Sequence, residues 1–410
     1  LDSWTATIER RVSSRGPAQP VSQSAFEAIR LGALDSTRVA GLTHRFYKYP
    51  ARFSPTFVRN VIESCSDPGD LILDPFMGGA TTVVEALARG RTVVGSDLNS
   101  LSLFVAQAKT GRLSARERDD IAHWVTAAFP RSAYHSPALG RGLICPTRTK
   151  NLSLPRARPI KKVLTYALAA LDELDSAASK RFARCVLLNV AQWALNNRKR
   201  PTALTEFRAR AVQVAEEMLE GMSDFSQAVV SNGTPGAPHL YNVSAADLHR
   251  APVFASGARA KLVVTSPPYP GIHILYHRWQ VDGRRETPAP YWIAGCLDGQ
   301  GGHYYNFGSR KEHRHDTYFD NVVENMSAVR QCVSDDALIV QMVAFSRPAA
   351  QLARYLRAMT RAGFQEVRPT TSGGKAARRI RRLVPSRAWH ATSKGKTSSA
   401  QEIVLIHRPT

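Results

Sequence analysis

The stretch Leu71-Ile72-Leu73-Asp74-Pro75-Phe76-Met77-Gly78-Gly79-Ala80-Thr81-Thr82 decides how the rest of the chain is read. Leu71 to Asp74 is apolar until a closing carboxylate, the make-up of a short buried strand. Pro75 and the glycines then impose a tight turn, and the pattern from Thr82 to Ala88 is helical. Thr92-Val93-Val94-Gly95-Ser96-Asp97 is a second short strand that also ends in an acid. Strand, glycine turn, helix, strand and acid make one βαβ unit. In a doubly wound sheet, ligands lie beyond the carboxyl ends of the strands. Glycines there let the backbone come close, and an acid about 20 residues on holds ribose hydroxyls. A glycine turn alone is equally a tight strand-to-helix connection.

Outward from this unit, residues 56–64 read as a short amphipathic helix, while residues 1–40 carry no assignable pattern. Past residue 110 the character changes. Ile160, Val163, Leu164, Leu168, Leu171 and Leu174 recur at helical spacing, as do Phe182, Val186, Val190 and Trp193, and then Phe207, Ala211, Val214, Ala215 and Met218. Residues 111–235 therefore read as a mostly helical insertion with a small core of its own, closed by a loop rich in glycine and proline at 231–238. Strand character returns at 261–264, 336–343 and 402–406, with a helix from Leu352 to Ala362 ended by Gly363. The fold class is α/β: a doubly wound Rossmann-like sheet interrupted by the insertion.

Among 410 residues, 55 Lys and Arg oppose 33 Asp and Glu, a net charge of +22 and a pI near 10.3. So basic a chain points to a polyanionic partner, nucleic acid first, against the blander reading of a surface made basic for solubility. The five cysteines are an odd number, and none is spaced as a metal-ligand pair. That is the usage of a reducing compartment, with neither a disulfide framework nor a zinc site. No apolar run reaches the roughly 18 residues of a membrane span, and no basic segment followed by an apolar one opens the sequence. A cytoplasmic protein without membrane attachment is expected.

Thr265-Ser266-Pro267-Pro268-Tyr269 follows the apolar strand at 261–264. By itself it could be a proline-rich strand end with a packed Tyr. Its chemistry suits an exocyclic amino group, a poor nucleophile because its lone pair is delocalised into the ring. What helps is one acceptor for each amino proton. Ser266 Oγ supplies one, and the Pro267 carbonyl, on a stiff Pro-Pro backbone, supplies the other. Tyr269 can stack on a base taken out of a duplex.

These strings resemble the DNA amino-methyltransferase family. Asp74-Pro75-Phe76-Met77-Gly78-Gly79-Ala80-Thr81-Thr82 is similar to the family's cofactor motif DPFxGxGTT, with Ala80 in place of the second glycine. His44 to Pro55 resembles the preceding H-x-YPAKF-x-P segment, which packs over the methionine end of the cofactor, with Arg52 where Lys is common. Thr265 to Tyr269 looks like the catalytic motif, in the spelling usual for N4-cytosine enzymes; Asp at the position of Ser266 is usual for N6-adenine enzymes. The resemblance implies S-adenosyl-L-methionine as cofactor. It would be held by Tyr49, Phe53, Pro55, Asp74, Pro75, Phe76, Gly78, Gly79, Thr81, Thr82, Asp97, Leu98, Asn99 and Thr265, with Asp247 near the adenine amino group. It implies catalysis by Ser266, Pro267, Pro268 and Tyr269.

The expected division is an unassigned segment at 1–40, a cofactor-binding half at 41–110, the insertion at 111–235, and a catalytic half at 236–410 that carries a basic C-terminal hairpin. The insertion is either a target-recognition element or a structural extension. The expected reaction is methyl transfer to cytosine N4 in double-stranded DNA. A separate restriction endonuclease could share the site. Alternatives are an N6-adenine enzyme, a structured-RNA amino-methyltransferase, or a binding module without turnover. DNA contacts are expected from Tyr276, Arg278, Trp279, Arg284 and Arg285 beyond the catalytic string, and from Arg378, Arg379, Arg381 and Arg382, unless that run is a solvated hairpin tip. His303, His313 and His315 read as a polar loop, not a metal site.

Overall fold

The computed structural model of the chain describes residues 20–50, 52–131, 147–198, 202–233, 236–270, 278–283, 285–297, 307, 315–370, 373–383 and 401–410. Strand β1 (Leu71–Asp74) runs parallel to β2 (Thr92–Ser96), with Leu71 opposite Thr92 and Asp74 opposite Gly95. The helix between them, α3 (Thr81–Leu87), completes the βαβ unit expected from the sequence. Two helices precede it, α1 (Gln23–Leu34) and α2 (Pro55–Cys65). Strand β3 (His239–Tyr241) pairs with the outer side of β2, and β4 (Ala260–Thr265) pairs with β1 on the other side, both parallel.

Among the described residues the sheet has eight strands in the order β3-β2-β1-β4-β7-β10-β8, with β9 beside β10. Its remaining members are β7 (Val333–Ala344), β8 (Phe364–Glu366), β9 (Arg381–Leu383) and β10 (Gln401–Pro409). Strand β10 is antiparallel to β7, β8 and β9. A small separate hairpin is formed by β5 (Trp279–Val281) and β6 (Arg285–Thr287). Strand order reverses between β1 and β4, and open α/β sheets bind ligands at that crevice.

Alternation along each strand feeds two cores. Ile72, Val264 and Val340 face one side, where α2, α3 and α4 (Ser100–Thr110) pack. Leu73, Val263 and Ile339 face the other, covered by α11 (His315–Cys332) and α12 (Pro348–Arg361). The first residues, unassigned from sequence, include α1: Ser22 caps it, and Ala25, Phe26, Ile29 and Ala33 form its buried face.

Among its described residues the insertion has four α-helices: α5 (Ala115–Arg131), α6 (Arg158–Ala169), α7 (Ala177–Leu195) and α8 (Leu204–Ser231). The expectation of a separate small core needs correction. Trp124, Leu164, Phe182 and Leu188 belong to the same apolar cluster as Ile72, Val83 and Leu101. The reason lies in α7, which buries Phe182, Val186, Leu187, Leu188 and Val190 and so has more than one apolar stripe to cover. Gly221 brings α8 against the loop after α1, because a Cβ there would lie 2.3 Å from the Leu42 carbonyl oxygen. Among the described residues, no helix is long and apolar enough to cross a membrane.

Candidate active site

At the carboxyl ends of β1, β2 and β4 lies a cleft. The glycine turn forms its floor. Gly78 and Ala80 both have positive φ, +45° and +60°, so Ala80 holds the left-handed conformation that a glycine would take without strain. Three side chains fix the turn. Asp97 Oδ2 accepts from the Gly78 N–H at 2.9 Å, Ser102 Oγ donates to the Gly78 carbonyl at 2.6 Å, and Lys109 Nζ donates to the Gly79 carbonyl at 2.7 Å. The second Asp97 oxygen accepts from the Asn99 N–H at 2.8 Å. Burial pushes Asp97 up to about 6, against the pull of those backbone donors. Burial and the nearby Arg52 charge push Lys109 down to about 7.

The acid closing β1 does a different job. Asp74 is buried and accepts from Thr265 Oγ1 at 2.7 Å, tying β1 to β4 beneath the cleft. Burial raises it to about 6. Thr82 Oγ1 donates to the Val264 carbonyl at 3.2 Å and makes the same connection from α3. Asp74, Thr82 and Thr265 therefore brace the strands, while Pro75, Phe76, Gly78, Gly79, Thr81, Asp97, Leu98 and Asn99 line the cleft.

The upstream segment forms the facing wall through Tyr49, Pro50, Arg52 and Phe53. Asn99 orients it: its Nδ2 donates to Tyr49 Oη at 2.9 Å, and Tyr291 Oη donates to its Oδ1 at 2.6 Å. Pro55 starts α2 outside the lining. His44 pairs with Glu85 of α3 at 2.6 Å, both buried, and anchors the segment. From the insertion, Gln192 bonds both backbone groups of Lys48, and Asn189 Nδ2 donates to the Arg45 and Phe46 carbonyls.

Ser266 and Tyr269, at the end of β4, line the same cleft. Ser266 Oγ lies 3.0 Å from the Met342 carbonyl and 2.9 Å from Tyr269 Oη, while Tyr269 donates to Glu402 Oε1 at 3.1 Å. Tyr318 donates to the Pro268 carbonyl at 2.8 Å. No hydrogen bond reaches the Pro267 carbonyl among the described residues.

Residues 5–106 match a family model described as DNA methylase. The Type II methyltransferase M.MvaI of Kocuria varians is 42% identical over 83 residues, 20% of this chain and 18% of that protein. The DNA adenine methyltransferase YhdJ of Escherichia coli (strain K12) is 32% identical over 98 residues, 24% of this chain and 31% of that protein. The Type II methyltransferase M.ScaI of Streptomyces caespitosus is 39% identical over 67 residues, 16% and 21%. Each match spans less than a third of the relative's length. Over residues 5–106 the chain is similar to the DNA amino-methyltransferase family.

This similarity and the fold imply S-adenosylmethionine as a methyl donor, and the lining of the cleft fits that molecule. Asp97 offers acceptors for ribose hydroxyls, the aromatic rings of Tyr49, Phe53, Phe76 and Phe307 offer apolar walls, and Arg52 offers a cation. Three of these lining residues are ones sequence reasoning missed: Phe307, 5.5 Å from Phe76 between ring centroids, Asn325 of α11, and Ala245. No local motif marks Phe307 or Asn325, which arrive from distant segments, while Ala245 lies two residues before the expected Asp247.

Several expected contacts fall elsewhere. The Asp247 carboxylate is more than half exposed and pairs with Arg250 at 3.1 Å, because Asp247 starts a short 3₁₀ turn; Ala245 reaches the cleft instead. Trp279 is buried, its indole N–H donating to Tyr47 Oη at 3.1 Å, so its ring serves the core. Arg379 makes a bidentate pair with Glu366 at 2.6 and 2.7 Å, and Arg382 pairs with Glu402 at 2.8 Å. The run at 378–382 is thus no solvated tip: it leads into β9, and only Arg378 and Arg381 are exposed. Arg285 is exposed beside Asp282, and Arg278 is partly buried. Tyr276 and Arg284, with His303 and His313, lie outside the described residues, as does the side chain of His315.

Proposed function

We propose that this chain transfers a methyl group from S-adenosylmethionine to N4 of cytosine in duplex DNA, acting on a base turned out of the helix. One observation carries the reading: Ser266 has its proton committed within the protein. The Met342 carbonyl can only accept, and Tyr269 gives its own proton to Glu402. Ser266 therefore donates to Met342 or Tyr269, and its lone pairs remain to accept from a substrate amino group. The Pro267 carbonyl, without a donor among the described residues, is the second acceptor, whereas that of Pro268 is taken by Tyr318.

When bound, the cofactor supplies a sulfonium-activated methyl group. Ser266 and Pro267 draw the two amino hydrogens, raise nitrogen toward sp³ character and spread the charge that develops on it, as aimed acceptors do. Tyr269 supplies a ring face at the cleft for the extrahelical base. Asp97 and the glycine turn hold the ribose side of the cofactor. Attack is direct, so no cysteine takes part.

Nucleoside mass spectrometry of DNA treated with the protein and S-adenosylmethionine tests this. N4-methylcytosine is the expected product, and 5-methylcytosine would overturn the mechanism, because that reaction needs a covalent nucleophile. A second reading, N6 of adenine, is favoured by the match to a protein named as a DNA adenine methyltransferase; N6-methyladenine as sole product would select it. Because two relatives are named Type II methyltransferases, a separate restriction endonuclease of the same site specificity is the expected companion.

A further inference from the structure

A row of hydrogen bonds leads out of the cleft at the catalytic string. Ser266 Oγ lies 2.9 Å from Tyr269 Oη, and Tyr269 gives its own proton to Glu402 Oε1 at 3.1 Å. The hydrogen between the two hydroxyls therefore belongs to Ser266. Neighbouring strands set this row: Ser266 and Tyr269 follow β4, and Glu402 lies on β10 opposite Ala344 of β7. Its two ends face different spaces. Ser266 and Tyr269 line the cleft, whereas Glu402 lines a second groove together with Arg45, Lys48 and Arg382. Glu402 is only 5% exposed. Arg382 holds its Oε2 through Nε and Nη2, each at 2.8 Å, and leaves Oε1 to Tyr269.

An amino group that gains a methyl ends with one hydrogen too many. Attack forms a nitrogen–carbon bond and breaks the carbon–sulfur bond, whose electron pair stays on sulfur. The nitrogen is left positive and still carries both hydrogens. A cleft filled by base and cofactor excludes water, so that proton needs a way out through the protein.

We propose that Glu402 is the acceptor for this proton, acting through Tyr269 and Ser266 and not on the base itself. The inference rests on the amino-methyl-transfer reading and holds for cytosine N4 and adenine N6 alike. With Ser266 turned to Tyr269, the substrate proton passes to Ser266 Oγ as the Ser266 proton moves to Tyr269 Oη and the Tyr269 proton to Glu402 Oε1. Both hydroxyls and the methylated amino group end neutral. The one proton gained sits on the Glu402 carboxyl, which releases it to solvent in the groove. A glutamate that only orients Tyr269 needs no more than an acceptor oxygen; a proton acceptor needs a carboxylate.

The test compares the full chain with Glu402→Gln, Glu402→Asp and Glu402→Ala. Methyl transfer is followed in a single turnover, S-adenosylmethionine binding by calorimetry, and binding of a labelled duplex by anisotropy. Glu402→Gln keeps an oxygen for the Tyr269 hydroxyl. It should bind both ligands as the wild type does while methyl transfer slows about ten- to a hundredfold, at or below the low end for a positioned proton-transfer group. Glu402→Asp keeps the carboxylate and should recover part of that rate. Glu402→Ala opens a place beside Arg382, where sodium formate should speed the reaction saturably, over sodium chloride at equal ionic strength. Where the Gln variant does not fold, the Asp and Ala variants carry the comparison. A Gln variant as fast as the wild type, an Ala variant that formate leaves slow, or ligand affinity lost in step with rate would overturn the proposal alone. A wild-type chain that methylates neither base would overturn the methyltransferase reading and this proposal with it.

Discussion

Ser266 has one proton and two nearby acceptors, and that arithmetic makes it an acceptor toward substrate. Ser266→Ala should lower turnover on the order of 10²–10³, by analogy with loss of one oxyanion-hole donor, and leave S-adenosylmethionine affinity unchanged in calorimetry. The ring and hydroxyl of Tyr269 are separable. Tyr269→Phe keeps the stacking face and breaks the link between Ser266 and Glu402, so turnover should fall about tenfold with duplex affinity kept. Tyr269→Ala should weaken capture of the base by roughly 1–3 kcal/mol. Ala80 gives a prediction of opposite sign. Its left-handed backbone costs an L-residue about 1 kcal/mol or more, so Ala80→Gly should leave the protein as stable or more so, read as the urea midpoint.

At the scale of elements, strand ends concentrate titrating carboxyls. Asp74 closes β1 with its pKa raised from 3.8 to about 6 by burial. Between those values the native chain holds a proton that the unfolded chain has released. The stability this group contributes is therefore complete below about pH 3.8 and is lost as pH rises through about 6. Urea unfolding at pH 5 and 7.5 should show that decline, and Asp74→Asn should flatten it. Asp97, at the end of β2, must be ionised to accept ribose hydroxyls. With its pKa at about 6, cofactor affinity should hold above that pH and weaken below it; a flat profile from pH 5 to 7.5 would remove Asp97 from the cofactor. Where β9 pairs with β10, Arg382→Ala removes the charge partner of the buried Glu402 and leaves it the Tyr269 hydroxyl, and should destabilise by about 1–3 kcal/mol. Neutralising the exposed Arg378 and Arg381 should instead spare stability and flatten the salt slope of duplex binding.

Over the whole molecule, one apolar cluster joins the insertion to the sheet. Deleting residues 111–235 should therefore yield an insoluble or unfolded chain, since the apolar faces of α4 and the upstream segment would meet water. A soluble, cofactor-binding remainder would show the insertion to be a separate appendage. Much of this molecule is legible locally. The βαβ unit, the glycine turn and the acids at 74 and 97 lie within 27 residues of one another, where backbone geometry and residue spacing dictate one another. The periodicities marking α6, α7, α8 and α12 are local too. α1 was missed because a short helix of twelve residues in a polar stretch gives a weak pattern.

The sequence by itself determined the α/β class, the order of the motifs and the residues at each strand end, because strands, turns and helices are specified by neighbours along the chain. Tertiary structure decided which charges remain exposed. Arg379 and Arg382 look the same in sequence as Arg378 and Arg381, but alternation within β9 turns Arg382 toward Glu402 of β10, and Arg379, just before that strand, meets Glu366 of β8. It also sent Trp279 into the core, kept Asp247 outside the cleft, and brought Phe307 and Asn325 into it. Such partners are set by cross-strand register and helix docking between segments far apart in sequence, and no local spacing encodes them.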